Sequence, residues 1–132
     1  MLDETVRISV KLCLEKAQKC LQAAEILLKS ESFADSANRS YYAIFHCITA
    51  VLVTVGFSAK THSGNIAEYR KRFVKTGLFP KSFSDIIKDA FRIRNSSDYD
   101  VFFIVAKADV VKQIEDAKIF LTATDNYIQS LM

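Results

Sequence analysis

Arg94 and Asp98 stand four residues apart in the run Arg94-Asn95-Ser96-Ser97-Asp98-Tyr99. On a helix that spacing lets guanidinium and carboxylate pair, and the planar fork of the guanidinium also suits the oxygens of a phosphate. The plain reading is a helix C-terminus with an ion pair and a tyrosine folded over the core. The sharper one places Arg94 at the border of a buried face, aimed into a crevice as an anion contact. A second polar set, Arg39, Tyr42 and His46, recurs at steps of three and four on one stripe of an otherwise apolar segment. A lone histidine in such a place often serves as a hydrogen-bonded core residue. If the two segments face each other, however, they form an electropositive pocket with one group, His46, that titrates near neutrality.

The elements that must position these residues follow from periodicity. Val6, Val10, Cys13, Ala17, Cys20, Ala24 and Leu27 define one face of a long amphipathic helix over residues 3–30. Ser30-Glu31-Ser32 ends it, and Asp35 or Ser36 is the expected cap of a second helix running to Val55 and stopped by Gly56. A third helix is predicted over Ser63–Thr76, with His62, Ile66, Tyr69 and Phe73 on one face and Gly77 closing it. After Pro80, Phe83, Ile87, Ala90 and Arg94 share a face of a fourth. From Asp109 the stripe Val110, Ile114, Ala117, Leu121, Thr124, Ile128 and Leu131 makes a fifth. The expected fold is all-α, an up-and-down bundle of about five helices forming one domain over residues 1–132, with the second helix central and the end helices packed on it.

Composition agrees and excludes much. With 132 residues, only three Gly and one Pro, and half the residues hydrophobic, the chain suits one helical core and disfavours disorder or many-turned β architectures. The net charge of +3 is modest, but Lys60, Arg70, Lys71, Arg72, Lys75 and Lys81 face a single acid, Glu68, between positions 60 and 81. Such a cluster is a solvated helix face or the footprint of a phosphate-bearing partner. Cys13 and Cys20 lie about 10 Å apart by helical rise, too far for a disulfide. With no CxxC pair and two histidines, buried reduced thiols are expected, with no metal and no cofactor. Ser40–Ala59 is an uncharged stretch of bilayer length, read as a buried central helix because His46, Thr49, Thr54 and Gly56 interrupt it. The start of the chain is charged and periodic, unlike a signal peptide, so a cytoplasmic location with no membrane contact is expected. No Gly-rich phosphate loop, HExxH, nucleophile elbow or recognition helix is present.

Four patches together narrow the field: Arg39-Ser40-Tyr41-Tyr42-Ala43-Ile44-Phe45-His46, Thr61-His62-Ser63-Gly64, Phe73-Val74-Lys75-Thr76-Gly77 and Arg94 to Tyr99. Their combination resembles the HEPN domain, above all its small stand-alone bacterial and archaeal members, over nearly the entire chain. The resemblance implies a helical homodimer in which the polar motifs of two subunits meet in a cleft. Many HEPN proteins are metal-independent ribonucleases, and many stand-alone members are toxins beside a small nucleotidyltransferase antitoxin. In the nuclease members an Arg and a following polar residue precede a His by a few positions. Arg94-Asn95 matches the first part, but no His follows Arg94, and Asp98-Tyr99 stands in its place.

The nuclease chemistry needs a group that moves a proton at the ribose 2′-oxygen near neutral pH, with Arg stabilising the charged phosphorane. A phenol, titrating at roughly 10, is a poor base, and a carboxylate paired to Arg94 is a weak one. The expectation is therefore a nucleotide- or RNA-phosphate-binding module, the toxin-like half of a toxin–antitoxin pair. Arg94, Asn95, Asp98 and Tyr99 form its cleft, with Arg39, Tyr42 and His46 in support. The resemblance also implies Tyr99 as acceptor for adenylylation by the partner. One alternative is a metal-independent ribonuclease using Arg94 with His46 or Tyr99. Another is a structural or regulatory interaction domain without catalysis.

Overall fold

The computed structural model describes residues 2–132. Five helices carry the fold: α1 (Glu4–Lys29), α2 (Phe33–Val53), α3 (His62–Tyr69), α4 (Ser82–Tyr99) and α5 (Lys107–Ser130). A π-helical turn, Arg70–Val74, continues α3, and there is no strand among the described residues.

Asp3 starts α1 by accepting a hydrogen bond from the Val6 amide at 3.0 Å. The buried face of the helix, Val10, Ala17, Cys20, Leu21 and Ala24, follows the expected stripe. The chain then reverses through Glu31, whose φ of 61° is in the left-handed region. The start of α2 differs from expectation. It begins at Phe33, ahead of Asp35 and Ser36, and Ser36 does not cap it. Ser36 is fully buried and its Oγ donates to the Ala24 carbonyl at 2.7 Å, pinning α2 to α1. A long-range partner has displaced the local one.

The uncharged stretch lies at the centre, as its composition requires. α2 packs against α1, α3, α4 and α5 and buries Tyr41, Ile44, Cys47, Ile48, Val51 and Leu52. No helix among the described residues is long and apolar enough to cross a membrane. α2 ends at Val53, two residues earlier than the periodicity indicates, and Gly56 makes the exit at φ +71°. The third predicted helix is split: α3 gives way to the π turn at Arg70, and both Phe73 and Val74 are buried there.

On α5 the sequence stripe places Leu121 inward, whereas Phe120 is the residue fully enclosed and Leu121 is half-buried. Phe120 stacks on Phe83 of α4 at 4.5 Å and lies 5.7 Å from the Tyr69 ring, joining α3, α4 and α5. Gln113, also buried, donates to the Ala37 carbonyl of α2 at 3.0 Å. Because Phe120 has no exposed surface and packs on both α3 and α4, Phe120→Ala should lower unfolding free energy by about 3–5 kcal/mol. Urea denaturation should show this as a lower midpoint with an unchanged slope.

Candidate phosphate-binding site

Arg94 projects from the last turns of α4 toward α2, with its side chain 19% exposed. Burial of a guanidinium demands compensation, and three neighbours supply it. Its Nη2 donates to the Tyr42 hydroxyl at 3.2 Å. Its Cζ lies 5.2 Å from the Tyr41 ring and 5.5 Å from the Tyr42 ring, so the cation meets two π faces. Asp98, one turn on, approaches Nε at 3.4 Å, close enough for charge pairing but too poorly aligned for a hydrogen bond. Nε is thus a buried donor without a hydrogen-bond partner.

The Arg39–Tyr42–His46 stripe of α2 lies beside it. The Arg39 guanidinium sits 5.3 Å from the Tyr42 ring and bonds Asn38 Oδ1 at 3.1 Å and Cys20 Sγ at 3.9 Å. Tyr42 therefore has a guanidinium on either helix, and the His46 ring is 6.1 Å from its own. The structure draws Arg94, Asp98, Tyr42, Arg39 and His46 into one neighbourhood. Asn95 is exposed, and Tyr99 is 76% exposed and takes no part in the hydrogen bonding around Arg94.

A residue that sequence reasoning left out of the site completes the cluster. His62, the first residue of α3, places Nδ1 2.9 Å from the Tyr41 hydroxyl and stacks on Phe45 at 4.0 Å. Its ring is 5.9 Å from Tyr41 and 5.8 Å from Tyr42, the same two rings that hold Arg94. The residue stood in the Thr61-His62-Ser63-Gly64 patch and on the inward face of its helix. Only the packing of α3 on α2 shows that this face meets Tyr41.

Both imidazoles favour the neutral form. Burial, and then the Arg94 charge, lower the His62 pKa; burial, Lys16, Arg39 and His62 lower that of His46. Burial pushes the Tyr41 phenol up to about 12, against the pull of Arg94. Tyr41 thus keeps its proton throughout the neutral range and serves as donor or acceptor to His62. The three thiols are free; burial raises each of them, Cys47 to about 12.

The basic segment flanks α3, with Arg70, Lys71 and Arg72 in the π turn that follows it. Arg72 pairs with Glu68, and Arg70 donates to the Ser84 carbonyl at 3.1 Å. A groove of about 360 Å³ between α3 and α4 has Ile66, Ile87 and Phe91 in its lining, with Arg70, Lys88 and Arg92 around them. Phe91 also reaches the Tyr41 ring, 6.1 Å away, so the groove abuts the cluster. A larger groove, about 580 Å³, lies between α1 and the end of α5 and contains none of the site residues. No three His, Cys, Asp or Glu among the described residues are grouped to hold a metal ion.

A helical bundle carrying a half-buried arginine on its fourth helix, facing a Tyr-Tyr and His stripe on its second, defines the class. The family model of the HEPN domain matches residues 10–127, and the chain belongs to that family. A Thermotoga maritima UPF0332 protein is 34% identical over 116 residues, 88% of each chain. Two Methanocaldococcus jannaschii proteins, each named "Putative toxin", are also similar. One is 33% identical over 117 residues, 89% of this chain and 80% of its own; the other is 32% identical over 99 residues, 75% and 74%.

The depressed imidazoles have a consequence for stability. In the unfolded chain they titrate near 6.5 and bind protons more tightly than in the fold. As pH falls through that value, protons therefore favour the unfolded state and stability declines, levelling off below the folded pKa values. Chemical denaturation from pH 7.5 down to 5.5 should show this fall, and His46→Gln with His62→Gln should flatten it.

Proposed function

We propose that this toxin-like HEPN protein is a homodimeric module that binds a nucleotide or RNA phosphate at Arg94. It would act in the cytoplasm beside a nucleotidyltransferase-type antitoxin. The observation that carries this is the Arg94 guanidinium: buried on two tyrosine faces, only loosely neutralised by Asp98, and holding an Nε–H without a hydrogen-bond acceptor. An arriving phosphoryl oxygen supplies that acceptor and exchanges a misaligned carboxylate contact for a charge-assisted bond. The α3–α4 groove, with its apolar lining and three cations, offers the rest of a nucleotide a surface for a base and further phosphates.

The dimer is supported by the segment after the site. Val101, Phe102 and Ile104 are 88–90% exposed, an apolar run that water solvates poorly and a second subunit would cover. The names of the two M. jannaschii relatives support the toxin assignment, and an antitoxin partner follows from it. The exposed Tyr99 hydroxyl suits modification by such a partner. The free, largely buried thiols fit a reducing compartment.

A second reading, a metal-independent ribonuclease, draws on the two imidazoles, which are kept neutral near pH 7 and can accept a proton. It predicts RNA cleavage that persists in chelator and disappears in Arg94→Ala.

For binding, Arg94→Ala should weaken affinity for a short single-stranded RNA by about tenfold or more. Arg94→Lys, which keeps the charge but loses the fork, should fall between. Unchanged affinity in a folded Arg94→Ala protein would overturn the site. Light scattering should report a dimer that Phe102→Asp with Ile104→Asp converts to monomer; a wild-type monomer would contradict the assembly.

A further inference from the structure

Among the groups around Arg94, His62 is the one whose geometry is fixed on one side and free on the other. The Tyr41 hydroxyl holds Nδ1 at 2.9 Å, and Phe45 stacks under the ring at 4.0 Å, which sets the plane of the imidazole. Tyr41 is itself 2% exposed and its ring is braced by Phe91, so the anchor does not move freely. Nε2 has no hydrogen-bond partner among the described residues, and the ring is only half-buried. Arg94 and His62 thus approach the same pair of tyrosines from α4 and α3, each with a nitrogen donor uncommitted.

We propose that His62 is the second phosphate-binding group of the Arg94 site: Nε2 donates to the phosphoryl group that Arg94 holds, and the imidazole takes up a proton as the anion arrives. The inference rests on the phosphate-binding assignment and extends it to a residue and a proton.

The chemistry is self-consistent in both charge states. With His62 neutral, Tyr41 donates to Nδ1 and the ring hydrogen sits on Nε2, where it is free to donate to a ligand. When the ring gains a proton, it lodges on Nδ1, the Tyr41 hydroxyl rotates to accept it, and Nε2–H stays in place. The anchor is never broken. The charged groups facing His62 are Arg94, with Asp98 behind it, from α4, and the neutral titratable groups are Tyr41, Tyr42 and His46 from α2. Burial and then the Arg94 charge oppose protonation of His62; a bound phosphate cancels that charge and adds an acceptor. Anion and proton therefore bind cooperatively, each raising affinity for the other by the same factor.

The test uses a ligand whose own charge is constant: a four-residue oligodeoxythymidylate without terminal phosphates. Its diesters do not titrate between pH 5 and 8, and it lacks the 2′-hydroxyl through which RNA is cleaved. NMR of the imidazole ring carbons follows His62 and His46 in the wild-type protein, so no variant need fold. The His62 pKa should rise by about one pH unit on saturation, and affinity should be several-fold greater at pH 5.5 than at pH 8, approaching about tenfold only below the pKa of the free protein. His62→Gln should bind at pH 8 and lose that pH dependence, whereas His46→Gln should keep it. Binding that depends on Arg94 but leaves the His62 titration unmoved would overturn the role of His62 and leave the phosphate site standing. Absence of binding at any pH would overturn both.

Discussion

A guanidinium taken halfway out of water is the constraint around which the polar half of this molecule is organised. Arg94 lies on the inward border of α4, where an apolar side chain would pack without difficulty. Its charge forces α2 to present two tyrosine faces and a hydroxyl, and draws Asp98 up from one turn away. Tyr41 in turn anchors His62 and so ties the start of α3 to α2. The apolar half does the complementary work. Phe120, Phe83 and Tyr69 form the aromatic contact that fixes α3, α4 and α5 around α2, and with it the distance from α4 to the tyrosines.

The compensation around Arg94 is incomplete, which favours the proposed binding site over a purely structural ion pair. A bidentate, aligned carboxylate would satisfy the guanidinium and leave an anion little to gain. Here Asp98 stands off at 3.4 Å and Nε lacks an acceptor, so a phosphate at the proposed site would gain a charge-assisted hydrogen bond that the protein itself does not make. Both neighbouring imidazoles are held neutral by burial and by the local positive charge, and in the proposed site His62 is the one that takes up a proton once an anion reduces that charge.

Much of this was legible in the sequence because it depends on local periodicity. The inward stripe of α1, the central burial of α2 and the four-residue spacing of Arg94 and Asp98 all follow from helical geometry, and the glycines at 56 and 77 do adopt positive φ where the helices stop. What the sequence hid depends on packing between elements. Asp35 or Ser36 is the expected cap of α2, yet the helix starts ahead of both and Ser36 bonds Ala24 across the α1–α2 interface. The π turn at Arg70–Val74 and the inward placing of Phe120 shift local register by amounts that periodicity does not resolve. His62 was visible as one of two histidines, but its partner Tyr41 lies 21 positions away on another helix. With sequence spacing as the guide, His46 on the stripe of Tyr42 drew attention first.

The central claim, that Arg94 is the group a phosphate contacts, is tested most directly at its own nitrogen. In a spectrum of the arginine Nε–H groups, the Arg94 signal should shift and exchange more slowly with water as a short single-stranded oligonucleotide is added, because the unpartnered donor gains an acceptor. An Arg94 signal that stays in place while the same titration moves only the side chains of the α3–α4 groove would contradict a phosphate site at Arg94.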